Sequence, residues 1–334
     1  VGGKLNIFII PEGYGPTGAF KDWGMTVAMS VAKASGVKAV ACASTGDTSA
    51  AAAAYAAAAG IKCVVVLPHG RVTAVQLAQP LAHGAKIVTV PGSFDDCSRI
   101  VNELCAAGRV FPMNSINPTR IEGHMATVFV AAQFLGWKLP NAFVLPVGNG
   151  SNSSSVGKGI HVLKDLGFVP ENEPCKVIGV QSQAANPLAR SWQTAQKNGI
   201  ADPEFWRQVY VHQEHLGQTV ATAAWIGKPV SFLKVMRTIN ETRGAVLTAS
   251  ERHLVEATML LGASGFSCCP QTGTALAGLR NAVVEGLIAP ESTVCLVSTA
   301  TSLKFPEVAA AQAGDNQIAA GSKDTEAVAD CMGV

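Results

Sequence analysis

Short apolar runs alternate with longer helical patterns along most of the chain. Residues 37–43 form a β-favouring run ending in a Ser/Thr/Gly/Asp loop. Residues 48–59 hold nine alanines, which predicts a helix, and Gly60 closes it. Residues 61–67 are the next strand, closed by Pro68. Strand, helix, strand in that order predicts two parallel strands joined by a right-handed crossover. Residues 25–34 predict a helix, 73–79 a short helix stopped by Pro80, 86–90 a strand, and 94–107 a helix with Ser93 as its cap. Residues 123–135 predict one long apolar helix, and 142–147 a buried strand running into a Gly/Asn/Ser loop. Further buried strands fall at 177–180 and 293–298, with helices near 161–166, 230–238, 251–261 and 272–284. The alternation predicts two α/β layers, each with a mostly parallel sheet. Ligands in such folds bind at the carboxyl ends of the strands.

A length of 334 residues suggests about two domains. Hydrophobic residues make up 48% and charged residues 14%, which excludes a disordered chain. The 25 Lys and Arg stand against 23 Asp and Glu, a net charge of +2, so nothing electrostatic points to nucleic acid or a membrane surface as partner. No apolar stretch is long enough for a membrane span; the alanine run ends at Gly60. The nine cysteines are scattered, Cys268 and Cys269 are adjacent, and no C-x-x-C pair occurs. Free thiols in a reducing compartment are the expectation. The chain begins at Val1, which implies processing or trimming, and no signal or transit peptide is recognisable.

Three loops carry candidate chemistry. In Gly18-Ala19-Phe20-Lys21-Asp22-Trp23-Gly24, a lysine precedes a helix. Desolvation and a helix N-terminus favour a neutral amine, able to condense with a carbonyl group; the plain alternative is a solvated lysine. In Ser44-Thr45-Gly46-Asp47-Thr48-Ser49, hydroxyls and free N–H groups suit an anion, or Asp47 simply caps the helix. Gly148-Asn149-Gly150-Ser151-Asn152 and the serines to Ser155 form a phosphate-loop candidate, or a flexible turn. It lacks the Gly-Lys-Ser/Thr of a P-loop and the G-x-G-x-x-G of a dinucleotide site. Asn114-Ser115-Ile116-Asn117-Pro118-Thr119-Arg120 offers amides, a hydroxyl and a guanidinium suited to phosphate, or is a polar surface loop. His212 and His215 lie one turn apart, but no third ligand is near, so a solvated face is favoured over a metal site. The elbow of serine hydrolases does not occur.

Phe20-Lys21-Asp22 followed by Ser44-Thr45-Gly46-Asp47-Thr48-Ser49-Ala50 resembles the fold-type II pyridoxal-phosphate enzymes, and more narrowly the threonine synthases of the plant-type branch. Supporting segments span most of the chain: Asn114-Ser115-Ile116-Asn117 with Arg120-Ile121-Glu122-Gly123, Pro146 with Gly148-Asn149 and Asn152, and Ala184-Ala185-Asn186-Pro187-Leu188. They continue with Ile226-Gly227-Lys228-Pro229-Val230-Ser231, Cys269-Pro270-Gln271-Thr272-Gly273, and Val297-Ser298-Thr299-Ala300 with Leu303-Lys304-Phe305. The resemblance implies an α/β fold like the tryptophan synthase β chain. Residues 1–22 and 137–334 would form a large cofactor-binding domain and 23–136 a small mobile one. It implies pyridoxal 5′-phosphate as cofactor, joined covalently to Lys21. Gly148, Asn149, Gly150, Ser151 and Asn152 would surround its phosphate, Thr299 would face its pyridine nitrogen, and Asp47 would lie near its phenolic oxygen, where many relatives have Asn. Ser44, Thr45 and Thr48 would hold the substrate carboxylate, and Asn114, Ser115 and Arg120 the substrate phosphate. The implied reaction converts O-phospho-L-homoserine and water to L-threonine and phosphate, with Lys21 as base. A homodimer is implied, without nucleic acid or membrane partners, in the cytoplasm or, for a plant or alga, the plastid stroma.

The chain departs from the family pattern at Ser151, where a second glycine is usual, at Thr301-Ser302, where His-Gly is usual, at His124 for Gln, and at Trp23 for Arg or Leu. Two alternatives therefore stay open. One is a related replacement or elimination enzyme, cysteate-synthase-like on O-phosphoserine or dehydratase-like. The other is a non-catalytic homologue.

Overall fold

The computed structural model describes residues 5–44, 46–70, 74–199, 202, 206–210, 212–311 and 324–332. In chain order the elements begin with β1 (Asn6–Pro11), α1 (Lys21–Ala34), β2 (Ala39–Cys42), α2 (Asp47–Ala59), β3 (Lys62–Pro68), α3 (Ala74–Ala82), β4 (Lys86–Val90), α4 (Phe94–Ala106) and β5 (Phe111–Pro112). There follow α5 (Pro118–His124), α6 (Ala126–Phe134), β6 (Ala142–Pro146), α7 (Ser151–Asp165), β7 (Lys176–Ser182), α8 (Pro187–Lys197), α9 (Trp206–Val209) and α10 (Phe232–Glu241). Last come β8 (Ala245–Ala249), α11 (Glu251–Ala263), α12 (Pro270–Val284), β9 (Thr293–Ser298), α13 (Pro306–Ala311) and α14 (Thr325–Met332).

The strands form two parallel sheets, one in the order β1-β9-β6-β7-β8 and one in the order β4-β3-β2-β5. The inner strands of both sheets are covered on two faces, which is why β6, β7 and β9 are buried along nearly their whole length, whereas the edge strands β1 and β4 are partly exposed. Along β6 the side chains alternate. Phe143 and Leu145 join one core with α6, α7 and α10, while Ala142 and Val144 join another with α11 and α12. In the smaller sheet, Val40, Cys42, Val65 and Leu67 pack on Met25, Met29 and the alanines of α2, and Ala41 and Val66 pack on Cys97 and Val101 of α4. The alanines let α2 lie close between its neighbours, and Gly60 ends it at φ 70°. Ser93 and Asp96 form the capping box that opens α4.

Several elements differ from the sequence expectation. Strands β1, β5 and β8 are additional. Residues 123–135 are not one helix: α5 starts earlier, at Pro118, because the Asn117 side chain accepts the Thr119 N–H, and α6 follows at Ala126. Pro80 lies inside α3 and does not stop it. Gly46, not Asp47, occupies the cap of α2. Helix α6 precedes the expected domain boundary at 136, yet its Val128, Ala131 and Ala132 lie in the core of the five-stranded sheet. Among the described residues no helix is long and apolar enough to cross a membrane.

Helices α1 and α5 cross at two glycines. A Cβ on Gly123 would fall 2.1 Å from the Trp23 carbonyl oxygen, and one on Gly24 would fall 2.6 Å from His124 Nε2. Only glycine permits this approach. It sets Lys21, at the start of α1, close to Arg120 and His124 on α5.

Candidate active site

The lysine loop is fastened to the end of β9. Phe20 N–H donates to the Thr299 carbonyl at 2.7 Å, Thr301 N–H donates to the Gly18 carbonyl at 3.0 Å, and Ala19 pairs with Ala300 as an antiparallel bridge. Asp22 holds the loop closed from within, accepting from Thr17 N–H at 3.0 Å and Thr17 Oγ1 at 2.8 Å. Lys21 is the first residue of α1 and does not precede it. Its Nζ lies 3.7 Å from the Phe20 ring centroid. Its pKa is lowered to about 7, first by burial and then by the Arg120 charge, with Asp47 and Glu12 acting in the opposite sense. The helix N-terminus acts in the same direction as burial. Near neutral pH a large share of this amine is therefore uncharged and nucleophilic.

The expected loop at 148–155 is largely helix. Gly150 turns the chain at φ 89°, and α7 begins at Ser151. The serines fit because their hydroxyls bond back: Ser154 Oγ donates to the Gly150 carbonyl and Ser155 Oγ to that of Asn152, both at 2.7 Å. Ser151 is helical, so it bears none of the left-handed strain that a glycine substitute could have carried. The first N–H groups of α7 have no partner within the helix and favour an anion. Asn152 Nδ2 and Oδ1, Ser153 Oγ and both amide atoms of Gln271 are buried without partners. Gly148 leaves room for the turn at Thr222–Ala224; a Cβ there would lie 3.2 Å from Ala224 Cα.

One crevice collects these groups. Lys21, Asp47, Gly148, Asn149, Gly150, Ser151, Asn152 and Thr299 all line it. An amine able to condense with an aldehyde, beside a helix N-terminus with unpartnered amides, fits a phosphorylated aldehyde cofactor. Ser153, part of the expected phosphate loop, also lines it, as do Gln271, Ala223 and Ala224, which were not singled out from the sequence as site residues.

The described residues among those expected to hold substrate do not line that crevice. Ser44 Oγ accepts from Gly46 N–H at 3.3 Å, Thr48 is buried at the start of α2, and Thr45 lies outside the described residues. The Asn114 amide brackets Ala43, accepting its N–H at 3.0 Å and donating to its carbonyl at 2.8 Å. That places the 113–120 segment against the end of β2. Arg120 is fully buried and donates through Nη1 to the Met113 carbonyl at 3.2 Å and to Ser115 Oγ at 3.5 Å, while Nε and Nη2 have no partner. A buried guanidinium with free donors is unsatisfied until an anion reaches it.

Two further buried groups surround Lys21. Glu12 follows β1; Thr127 Oγ1 donates to its Oε1, and Oε2 is unpartnered. Burial raises its pKa to about 7, against Thr127, the nearby Asn152 amide and Lys21, which lower it. The Asn152 amide lies near this carboxyl but outside hydrogen-bond geometry. His124 stacks at 5.0 Å from the Phe20 ring, and both its nitrogens are unpartnered. Burial, then the charges of Arg120 and Lys21, hold its pKa well below 6.5, so it is neutral. Glu12 was not singled out from the sequence: it follows the apolar run Ile7-Phe8-Ile9-Ile10, and only the pairing of that strand with β9 brings it to the site. His212 and His215 lie outside any helix, and no cluster of three or more metal-ligand side chains occurs among the described residues.

The sequence profile described as pyridoxal-phosphate dependent enzyme matches residues 1–300. A threonine synthase of Methanosarcina acetivorans is 38% identical over 91% of this chain and 72% of its own. One of Synechocystis sp. is 36% identical over 100% and 81%, and threonine synthase 2, chloroplastic, of Arabidopsis thaliana is 34% identical over 88% and 56%. Among solved structures, maize serine racemase has a TM-score of 0.74 at 15% identity, covering 93% of this chain and 87% of its own. Threonine deaminase isoform 2 of Solanum lycopersicum has 0.71 at 18%, covering 91% and 82%. These two share the fold. The chain belongs to the pyridoxal-phosphate dependent enzymes of fold type II, and within them to the threonine synthases.

Proposed function

We propose that the protein converts O-phospho-L-homoserine and water to L-threonine and phosphate. The observation that carries this reading is the buried Arg120 guanidinium, with two unpartnered nitrogens, close enough to lower the Lys21 pKa. It gives the site a second anion receptor besides the α7 N-terminus. An enzyme acting on an unphosphorylated amino acid has no use for it.

Bound pyridoxal phosphate supplies an electron sink that makes the substrate Cα and Cβ protons removable. In the proposed site Lys21 holds it covalently, and the N-terminus of α7 with Gly148, Asn149, Gly150, Ser151 and Asn152 receives its phosphate. Thr299 and Asp47 flank its ring. Ser44, Thr45 and Thr48 take the substrate carboxylate. Arg120, with Ser115, takes the substrate phosphate, and Asn114 sets their segment against Ala43. With its amine free, Lys21 Nζ accepts the proton from Cα and, only after handing that proton on within the site, the one from Cβ, since an amine accepts one proton at a time. The Cγ–O bond breaks and its electron pair leaves with the phosphate, held by Arg120. Water adds its hydroxyl at Cβ, and protons return to Cγ and Cα, which completes threonine.

The division into a larger domain (1–22 and 137–334) and a smaller one (23–136) belongs to the same proposal, with the packing of α6 favouring a boundary ahead of Ala126. Closure of the smaller domain excludes bulk water from the reactive intermediates. The proposal includes a homodimer in the cytoplasm or plastid stroma. The cysteines among the described residues are unpaired, in keeping with a reducing compartment.

The test is reconstitution with pyridoxal phosphate and assay of phosphate and threonine from O-phosphohomoserine, beside O-phosphoserine with sulfite. Release from the first alone supports the reading; turnover only of the second overturns it. Light scattering reads the dimer.

A further inference from the structure

The longest-range polar contact in the site involves a residue with no role so far. Lys304 ends the short turn Ser302–Lys304 that follows β9. Its Nζ donates to Gln79 Oε1 at 2.6 Å and to the Thr17 carbonyl at 3.0 Å, and pairs with Asp47 Oδ1 at 3.2 Å. Gln79 Nε2 donates to the same Thr17 carbonyl at 3.0 Å. One ammonium thus joins four segments: the end of the five-stranded sheet, the lysine loop, the first residue of α2, and α3. The Lys304 and Asp47 side chains are only 15% and 11% exposed, so the pair is poorly screened.

Asp47 needs such a partner. It lines the crevice with Lys21, where an anionic cofactor binds. A bare carboxylate there repels that anion, and partial burial strengthens the repulsion. Lys304 supplies the compensating charge from the side away from the crevice lining, since Lys304 itself does not line it.

We infer that Lys304 is a positioning residue for the cofactor: it neutralises Asp47 and ties α2 and α3 to the β9 end, so that the four-stranded sheet carries Asp47 to a fixed place beside the cofactor. The inference rests on the proposed cofactor site and adds to it a residue that never touches the cofactor. Charge compensation makes a specific demand. Removing Lys304 alone harms cofactor binding, and removing both charges repairs it.

The experiment titrates cofactor-free protein with pyridoxal phosphate, following absorbance and tryptophan fluorescence, for the wild type, Lys304→Met, Lys304→Arg, Asp47→Asn and Asp47→Asn/Lys304→Met. Lys304→Met should weaken cofactor binding by about tenfold or more, as loss of a shielded counter-charge requires. Lys304→Arg and the double variant should bind within about threefold of wild type. Wild-type affinity in Lys304→Met overturns the inference, and so does a double variant no better than Lys304→Met. Should Lys304→Met fail to fold, the double variant decides, because a purely structural latch would leave it equally damaged. Borohydride reduction and peptide mapping of the wild type test the underlying reading separately. Absence of cofactor on Lys21 refutes that reading, whereas its presence with unchanged Lys304→Met binding refutes this inference alone.

Discussion

The thiol of Cys269 sits 3.5 Å from the Thr299 hydroxyl and 3.3 Å from that of Thr272. Thr272 Oγ1 accepts the Thr299 N–H at 3.2 Å and lies 3.2 Å from Ser298 Oγ. Burial, the largest influence, pushes the Cys269 thiol up, so it keeps its proton at neutral pH. A protonated thiol donating to Thr299 Oγ1 leaves the threonine's own hydrogen free to point into the crevice. Cys269→Ala should therefore shift the absorbance maximum of the bound cofactor and lower kcat by about threefold to tenfold, the scale of one weak buried hydrogen bond, with KM little changed. Cys269→Ser keeps a donor and should restore both. An unchanged spectrum in Cys269→Ala would remove the thiol from the network.

Glu12 and Lys21 make the stability of the cofactor-free protein depend on pH in opposite senses. Glu12 titrates near 7 when folded, above its ordinary 4.5. The folded state binds the extra proton between those values, so this group's contribution falls as pH rises from 4.5 to 7. Lys21 titrates near 7 when folded, below its ordinary 10.5. The unfolded state binds the extra proton there, so stability rises from pH 7 to 10.5. His124, held neutral when folded, opposes Glu12 below 6.5. The clean readout is thus the difference between wild type and Glu12→Gln in urea unfolding. That difference should turn against the wild type by about 3 kcal/mol between pH 4.5 and 7. A flat difference would mean that Glu12 stays ionised in the fold.

Much of the larger architecture is legible in the chain because short β-branched apolar stretches stand between turn residues and helical patterns. The run 294–297 is apolar throughout and buried, and 86–90 keeps Ile87, Val88 and Val90 although it is a partly exposed edge strand; both strands fall where the pattern puts them. Lys21, Asp47 and the 148–152 segment are legible because each lies where a strand ends or a helix begins, and Thr299 through the family resemblance; all of them line one crevice. What stays hidden depends on tertiary contact. The serines at 151–155 look like a loop by propensity, and only their back-bonded hydroxyls and burial make them the first turns of α7. β1 is an apolar run, Ile7-Phe8-Ile9-Ile10, but its place beside β9, and with it the place of Glu12, follows only from a pairing across nearly 290 residues, Ile10 with Val297 and Pro11 with Ser298. Arg120 is a candidate from the sequence, but its complete burial follows only from the packing of α5 glycine-to-glycine on α1. Lys304 is separated from Asp47 by 257 of the 334 residues.

The α1–α5 crossing can be tested by a single methyl group. In Gly123→Ala the new Cβ would meet the Trp23 carbonyl oxygen at 2.1 Å and Gly24 Cα at 2.8 Å, both backbone atoms. Neither can step aside as a flexible side chain would, so the helices must separate. A loss of about 2–4 kcal/mol in unfolding free energy is expected, with weaker cofactor attachment because Lys21 moves with α1. Gly262 in α11 is exposed, and a Cβ there meets nothing within 4 Å. Gly262→Ala should instead stabilise by about 0.5–1 kcal/mol. Equal effects at the two glycines would show that the crossing is not tight.

Arg120 allows two independent measurements on one variant. Its charge lowers the Lys21 pKa, so Arg120→Met should raise it. In the cofactor-free protein, the rate at which an amine-selective reagent labels Lys21 should then have its midpoint above the wild-type value of about 7. If Arg120 also receives the substrate phosphate, the same variant should raise KM for O-phosphohomoserine by at least about a hundredfold, the scale of a lost charge-assisted pair, and abolish product inhibition by phosphate, while borohydride still fixes the cofactor to Lys21. The two effects separate cleanly. A shifted labelling midpoint with unchanged KM would keep Arg120 as an electrostatic neighbour of Lys21 and move the substrate phosphate elsewhere. An unshifted midpoint would mean that the guanidinium is too well screened to influence the amine at all.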